Sequence, residues 1–407
     1  MKKFILTVLP LVALLILGGC KDDSDNGVAE YYDLTIAVTY PEGYTADNIL
    51  SASVKAVNQQ TSQTYEAVSI GDGKYKASVT AGEYNILLNM TTNKDAIING
   101  VLQGMSVYNT ATATVPTEVA LIGTLVFKEV YYSMVKKGGK TPYNNDQFFE
   151  IYNNSASTVY LDNCVLGRLE GSQGVIPTRW VDAKGDILKK YPLSAYVPAF
   201  VGTTGSGKEF PLEAGQSVVI AFQAQDHRSL CPESPVNLTN ADYEVYIGDY
   251  STGALRNPDV PTLTILTKIE QATPKFFGLP YTGNAVIFAK FPDDVNLASY
   301  VADAANYMTV PNQTASTTEY LMIPQEYVMD GINVVNSNET KRVIRLRPAV
   351  DGGSVNNSED YNGKSIRRKV KEIAPDGRVI FQDTNNSSED FLTDQDPTPG
   401  VIPTIVD

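Results

Sequence analysis

Hydrophobic and polar residues alternate with a period of two along most of this chain, and a sustained helical period is almost absent. In Asp33-Leu34-Thr35-Ile36-Ala37-Val38-Thr39, the apolar Leu34, Ile36 and Val38 share one face, the mark of a half-buried strand. Runs of the same kind follow at Ala52 to Val57, Thr64 to Ile70, Lys74 to Thr80, Tyr84 to Met90, Val101 to Val107 and Thr110 to Val115. Turn-forming triplets such as Gly71-Asp72-Gly73 and Ala81-Gly82-Glu83 separate them, and a series this dense predicts one β-sandwich over residues 31–122.

A second region opens with another alternating strand, Gly123 to Tyr132, and further apolar runs lie within Gln147 to Asn154, Val159 to Leu166, Leu212 to Ala221 and Gly283 to Phe288. Phe149, Ile151, Val218 and Ile220 are expected to face one shared core. Long inserts, roughly 168–208, 223–280 and 291–362, interrupt this series. Loops of that length in a compact domain either carry function or build structure of their own. Only Val295 to Tyr307, free of Gly and Pro, spaces Leu297, Val301 and Ala304 so as to predict one short helix. The expectation is an all-β chain of two β-sandwich, immunoglobulin-like domains, 31–122 and 123–400, the second with long loop insertions, followed by a tail, 401–407.

The N-terminus departs from this pattern. Lys2 and Lys3 precede an apolar run from Phe4 to Leu17 that closes on Gly18-Gly19-Cys20. A charged start, a short apolar stretch and small residues before a cleavage point read as a signal peptide over 1–19, and the run is shorter than the ~20 residues a membrane span needs. Leu17-Gly18-Gly19-Cys20 resembles the lipobox of bacterial lipoproteins, which implies that Cys20 is acylated on sulfur and becomes the first mature residue. Several acyl chains, at ~0.8 kcal/mol per buried methylene, anchor a protein stably. Residues 20–30, beginning Cys20-Lys21-Asp22-Asp23-Ser24-Asp25, have the polarity of a flexible tether. They are similar to the lysine-plus-acidic export tag of Bacteroidetes surface lipoproteins, implying a body lipid-anchored at the outer membrane and facing outward.

Composition then narrows the chemistry. The formal charge of −14 grows two units more negative once Lys2 and Lys3 leave with the signal peptide, so phosphate backbones are repelled and nucleic acid is not an expected partner. With Cys20 lipidated, Cys164 and Cys231 are left as a possible disulfide, although Cys164 lies in an apolar run that suits a buried thiol equally well. His227 is the only histidine, which rules out a multi-histidine metal site within one chain, and it reads as an exposed loop residue. Gly202-Thr203-Thr204-Gly205-Ser206-Gly207-Lys208-Glu209 misses a phosphate-binding P-loop by its last residue, where Glu209 stands in place of a magnesium-holding Ser or Thr. No metal or cofactor is expected.

The inserts are rich in aromatics: Tyr191, Tyr196, Phe200, Tyr243, Tyr246, Tyr250, Phe276, Phe277 and Tyr281. Tyrosine offers a flat apolar face and a hydroxyl, so Tyr191, Tyr196, Tyr243, Tyr246, Tyr250 and Tyr281 are the candidate binding residues, against the plainer reading that they pin the inserts to the sandwich. Lys341, Arg342, Arg345 and Arg347 lie along an apparent strand, and Lys364, Arg367, Arg368, Lys369 and Lys371 follow. They form either one positive area or a solvated strand face balanced by neighbouring carboxylates.

Two stretches resemble known modules. Gly71-Asp72-Gly73-Lys74-Tyr75 followed by Val79-Thr80-Ala81-Gly82-Glu83-Tyr84 resembles prealbumin-like or carboxypeptidase-regulatory modules, implying a scaffold over 31–122 rather than an activity. Phe148-Phe149-Glu150-Ile151-Tyr152-Asn153, with Val159 to Leu166, resembles the opening of a lamin-tail domain, although Cys164 stands where members carry an aromatic. Ser365-Ile366-Arg367-Arg368, Asp383-Thr384-Asn385-Asn386-Ser387, Asp390-Phe391 and Pro397-Thr398-Pro399-Gly400 are similar to its ending. Asn385 and Asn386 are then turn formers, and Arg368 braces a loop or a carboxylate. The module order is also similar to that of Bacteroidetes lipoproteins of a family without an assigned function. The function expected is a non-enzymatic surface lipoprotein that serves an outer-membrane barrel transporter or binds an extracellular ligand. The alternatives are an adhesive or structural spacer, and a hydrolase acting through loop carboxylates.

Overall fold

The computed structural model describes residues 30–94, 96–171, 178–248, 254–269, 277–311, 313 and 317–407. The signal peptide 1–19, Cys20 and nearly all of the tether lie outside the described residues, as do Tyr250 and Phe276. The chain is all-β, and among the described residues its strands are joined by turns, three short α-helices and short 3-10 turns.

The N-terminal unit comprises β1 (Tyr31–Thr39), β2 (Ile49–Asn58), β3 (Thr64–Glu66), β4 (Val68–Gly71), β5 (Lys74–Thr80), β6 (Gly82–Thr92), β7 (Ile97–Val107) and β8 (Ala111–Val119). Their spatial order is β3-β2-β6-β7-β8-β1-β5-β4. The run Thr64 to Ile70, a single strand by its alternation, divides at Ala67, so that β3 pairs with β2 and β4 with β5. β8 also serves both halves: its start runs parallel to β1, and its end pairs antiparallel with β7. The alternating residues, Leu34, Ile36, Val54, Ala77, Val79, Ile86 and Leu88 among them, meet in one buried core.

The rest of the chain forms a second sandwich. One sheet orders Tyr243–Glu244, Ser217–Ala221, Phe148–Asn153, β9 (Leu125–Tyr131), Ser365–Arg368 and Phe391–Gln395 side by side. Facing it is a sheet built around Cys164–Leu169, Ala285–Lys290 and Val328–Asn333. Phe127, Phe149, Ile151, Val218 and Ile220 of the first sheet pack against Leu166, Val286, Phe288 and Ile332 of the second. The inserts are not bare loops. They supply Lys190–Ser194, Tyr196–Ala199 and Tyr320–Pro324 and enclose a further core, with Trp180, Tyr191, Leu193, Ile287, Leu321 and Ile323, on the far face of the second sheet.

Local chemistry explains the helices. Asn296 caps α2 (Leu297–Ala302) by accepting from the Ser299 N–H, and Asp303 ends it by capping a following 3-10 turn, so the predicted helix exists but is half the length its spacing suggested. Asp226 caps α1 (His227–Leu230), and Asn386 caps α3 (Ser387–Asp390), the turn-forming role expected of it. The stretch Lys341 to Arg347 is not a strand. A 3-10 turn, Glu339–Lys341, leads into extended chain whose Arg345 and Leu346 N–H groups donate to Asn333 Oδ1 instead of to a ladder.

The two units are joined through Gly123, which approaches the second sheet so closely that a Cβ there would lie 2.2 Å from the Met329 carbonyl oxygen. Asn99 Nδ2 donates to the Thr384 and Asn385 carbonyls at 3.0 and 2.9 Å, Lys55 pairs with Glu389 at 2.6 Å, and the Leu121 N–H reaches the Ala349 carbonyl at 2.8 Å. These bonds hold the walls of the space between the units.

Candidate functional site

A concavity lies between the units and begins where β7 and β8 part. Their ladder ends at Gly100↔Thr117. The next residue of β8 is Pro116, which has no N–H to offer, and from there β8 runs instead beside β1. Val101, Leu102 and Gln103 of β7 and Pro116 to Glu118 of β8 form one wall. The opposite wall comes from the 168–208 insert, where Val181 and Ile187 bridge antiparallel, and from Ile344 to Pro348. The cavity measures about 510 Å³, within the ~300–1,000 Å³ range of ligand sites, which favour such domain boundaries.

Its floor is aliphatic, with Leu346 fully buried and Ile344 nearly so. One ion pair is set into it. The Arg347 guanidinium donates through Nε to Glu118 at 2.8 Å, through a second nitrogen to the same carboxylate, and through the third to the Ile187 carbonyl. Burial alone would lower the Arg347 pKa, but the bonds to Glu118 outweigh it and the cation is reinforced. Tyr191 sits beneath, accepting from the Arg347 N–H at 3.3 Å and donating to Gln325 Oε1 at 3.0 Å. Glu118 and Arg347 thus satisfy one another, whereas Asp186, exposed at the rim, acts on Arg347 through its charge.

Among the described residues, the tyrosines expected to bind a ligand do not line this cavity. Tyr191 and Tyr196 are 1% exposed and belong to cores. Tyr243 is half-buried, edge-on to Phe200 with ring centroids 4.9 Å apart. Tyr246 lies against the Arg256 guanidinium, 5.7 Å away, and Tyr281 stacks on Tyr361 at 4.3 Å. Tyr191 and Tyr196 therefore pin the inserts, the plainer of the two readings, while Tyr243, Tyr246 and Tyr281 stay partly exposed. A tyrosine count cannot tell a ring that meets solvent from one that meets another ring. The signal for the real concavity was a proline, Pro116, inside an otherwise alternating strand.

Other candidates resolve differently. Cys164 and Cys231 are both free and buried, so the structure contains no disulfide between them. Cys164 lies in the core between the two sheets, where burial pushes its thiol up to about 12, and Cys231 closes α1 and points its Sγ at Glu233, 3.3 Å away. His227 is not exposed: burial lowers its pKa, and its ring bonds the Gln223 carbonyl at 2.8 Å and the Tyr143 hydroxyl at 2.7 Å. In the glycine-rich loop, Glu209 folds back to accept from the Thr203 and Thr204 N–H groups, which hold it at about 2. The donors that would cradle a phosphate are therefore occupied by the loop's own carboxylate. The basic residues are dispersed: Lys364 pairs with Asp396, Arg367 with Asp407, Lys369 reaches the Glu389 carbonyl, and Arg345 is buried against the Gly171 carbonyl. Among the described residues no group of three or more His, Cys, Asp or Glu side chains is placed to hold a metal ion.

A buried carboxylate near α1 has a measurable consequence. Asp146 accepts from Ser234 Oγ at 2.7 Å and the Tyr131 hydroxyl at 3.1 Å through one oxygen, while its Oδ1 has no partner among the described residues. Burial raises its pKa from 3.8 to about 6. A carboxyl whose pKa rises on folding contributes fully below about pH 4, and that contribution is lost as the pH rises through about 6. Asp146→Asn, which stays neutral throughout, is expected to raise stability at pH 7–8 by about 1–3 kcal/mol and to flatten the decline between pH 4 and 6. Urea unfolding across that range checks it; an unchanged slope would show that Asp146 already ionises freely in the fold.

Residues 213–398 match the model of a family described as a protein of unknown function, DUF4876. The chain is also similar to a DUF4876 family protein from Bacteroides thetaiotaomicron VPI-5482, whose crystal structure is known at 2.50 Å resolution. That likeness has a TM-score of 0.60 and 23% sequence identity, over 92% of this chain and 99% of that one, and it is one of fold. No curated protein matches the chain.

Proposed function

We propose that this chain is a surface-exposed lipoprotein, anchored through Cys20, that acts without catalysis as a binding or accessory protein, and that the cavity between its two units is the binding site. The observation that carries this reading is the cavity itself: about 510 Å³, floored by aliphatic side chains, with its one ion pair internally satisfied. A paired Glu118 and a single open carboxylate, Asp186, favour binding over glycoside hydrolysis, which calls for two carboxyl groups a set distance apart. The charged start, short apolar run and Leu17-Gly18-Gly19-Cys20 support export and acylation. The lamin-tail-like and prealbumin-like modules serve, on this reading, as the frame that fixes the walls. The expected partner is an outer-membrane barrel protein or an extracellular ligand.

The spacer alternative draws on one observation, the interlocking of the units through Asn99, Lys55 and Leu121, which suits a rigid stalk. Labelled palmitate should enter the wild-type protein and not Cys20→Ser. From detergent-solubilised envelope, the wild type should bring down a stoichiometric barrel protein that Val101→Trp, which fills the cavity, does not. Capture that survives Val101→Trp removes the cavity from the reading, and the absence of any stoichiometric partner favours the spacer.

A further inference from the structure

We infer that the cavity receives an extended peptide segment of a partner, apolar at alternate positions and carrying a basic side chain, which adds as a strand to the open edge of β7. This rests on the cavity being the binding site and names what it binds.

The edge is the decisive feature. β7 is bonded to β6 along one side for nearly its whole length, from Ile97 to Val107. On its other side the ladder with β8 covers Ile98 to Gly100 alone, and from Val101 onward no strand among the described residues lies beside it. Backbone N–H and C=O groups on such an edge form a template for another strand, and proteins commonly blunt it with proline, lysine or a bulge. Here the proline stands on β8, where it releases β7 instead of shielding it. The bulge at Gln103-Gly104, with Gly104 at φ +69°, is turned toward β6: the Gly104 N–H donates to Asn85 Oδ1 at 3.3 Å. The open edge begins at Val101, inside the cavity.

The remaining walls indicate which strand would fit. Side chains of an added strand point alternately to either side, and one set would meet the aliphatic surface of Ile187, Ile344 and Pro348. Main-chain bonds supply affinity in this mode, and pockets for alternate side chains supply selectivity. Among the charged groups lining the cavity, Arg347 is neutralised by Glu118 and Asp186 is left over, so the lining carries one net negative charge on a strongly acidic body. That charge selects a lysine or arginine at the rim and disfavours an acidic peptide.

The test titrates the full mature chain with a blocked Val-Lys-Val-Lys-Val peptide and its Val-Glu-Val-Glu-Val counterpart. Two analogues of the lysine peptide carry N-methyl groups at odd or at even positions, and the neutral fluorophore N-phenyl-1-naphthylamine serves as an apolar probe of the cavity. An edge strand bonds every second residue of its neighbour, so one N-methylated analogue should bind at least about tenfold more weakly and the other nearly as well as the parent. Asp186→Asn should narrow the preference for lysine over glutamate, and Val101→Trp should abolish peptide and fluorophore binding together. Lysine-peptide binding that is absent, or indifferent to both methylation patterns, overturns strand addition. If the fluorophore still binds in a Val101→Trp-sensitive way, the cavity stands as a binding site without the peptide; if it does not, both readings fall.

Discussion

Replacing Arg368 with methionine is expected to remove about 3–5 kcal/mol of folding stability, the range found when one partner of a buried ion pair is deleted. The guanidinium is 1% exposed. Its Nε donates to the Phe127 carbonyl at 2.8 Å, and one terminal nitrogen reaches the Gln382 carbonyl at 3.0 Å, Asp383 at 3.3 Å and Asp390 at 3.5 Å. The other meets Asp330, and the Phe391 ring lies 4.6 Å from the guanidinium carbon. One cation therefore serves three buried carboxyl groups, the bracing role expected for Arg368. Even beside it, burial raises Asp330 to about 6 and Asp383 to about 7. Without it these groups must fold protonated, which is easy in acid and costly at alkaline pH, since a raised carboxyl pKa withdraws stability as the pH climbs through it. The loss on Arg368→Met should accordingly be larger at pH 8 than at pH 5, measured as the shift in urea midpoint. Equal losses at the two pH values would mean that packing, not charge, accounts for the residue.

Lys128→Met should be comparably severe, about 3–5 kcal/mol, through a different piece of geometry. Across β9 and its neighbour the register runs Glu129↔Glu150 and then Phe127↔Ile151, leaving Lys128 as the extra residue of a β-bulge. The bulge explains why two polar residues stand together in Phe127-Lys128-Glu129-Val130 while Phe127 and Val130 both reach the core. Lys128 and Glu150, both fully buried, pair at 2.6 Å. Glu150 also accepts from Ser217 Oγ at 2.5 Å and the Gly400 N–H at 3.1 Å, and Glu129 from Ser365 Oγ at 2.5 Å and the Thr398 N–H at 3.1 Å. The Pro397-Thr398-Pro399-Gly400 segment is thus a strap closed over a buried charge cluster. Losing the lysine leaves two facing buried glutamates with no cation. Lys128→Met combined with Glu150→Gln should recover most of the loss, and the double-mutant cycle should show strong coupling; additive losses would deny the pair. Limited proteolysis should find the strap exposed in the single variant and protected in the double.

The strands were legible because alternation is a local property. Lys74–Thr80 forms where its sequence places it, and Phe149, Ile151, Val218 and Ile220 share the core expected of them. A strand's two faces are written in its own residues, whatever packs on them later. What covers a face is written elsewhere in the chain. Tyr191 and Tyr196 became core because Tyr320–Pro324 and Thr264–Lys268 arrive beside their strands from far along the sequence. His227 was buried by the turn that Asp226 caps and by Tyr143 from another hairpin, and Cys164 and Cys231 were kept apart by the sheets around them.

The cavity belongs largely to this second kind of information. Its walls are contributed by β7, β8, a bridge at Val181 and Ile187, and extended chain at Ile344 to Pro348, and apart from Pro116 in β8 nothing local to any of them announces a concavity. The chain by itself determined that the fold is all-β and where the alternating strands lie, because side-chain alternation acts over a few residues, whereas the strands inside the inserts and the fate of Lys341 to Arg347 were set by distant partners. The tertiary structure alone decided which aromatics are hidden, which charges cancel and where β7 is left without a neighbour. Those outcomes depend on burial, and burial is set by segments a hundred or more residues away, as with Glu118 and Arg347.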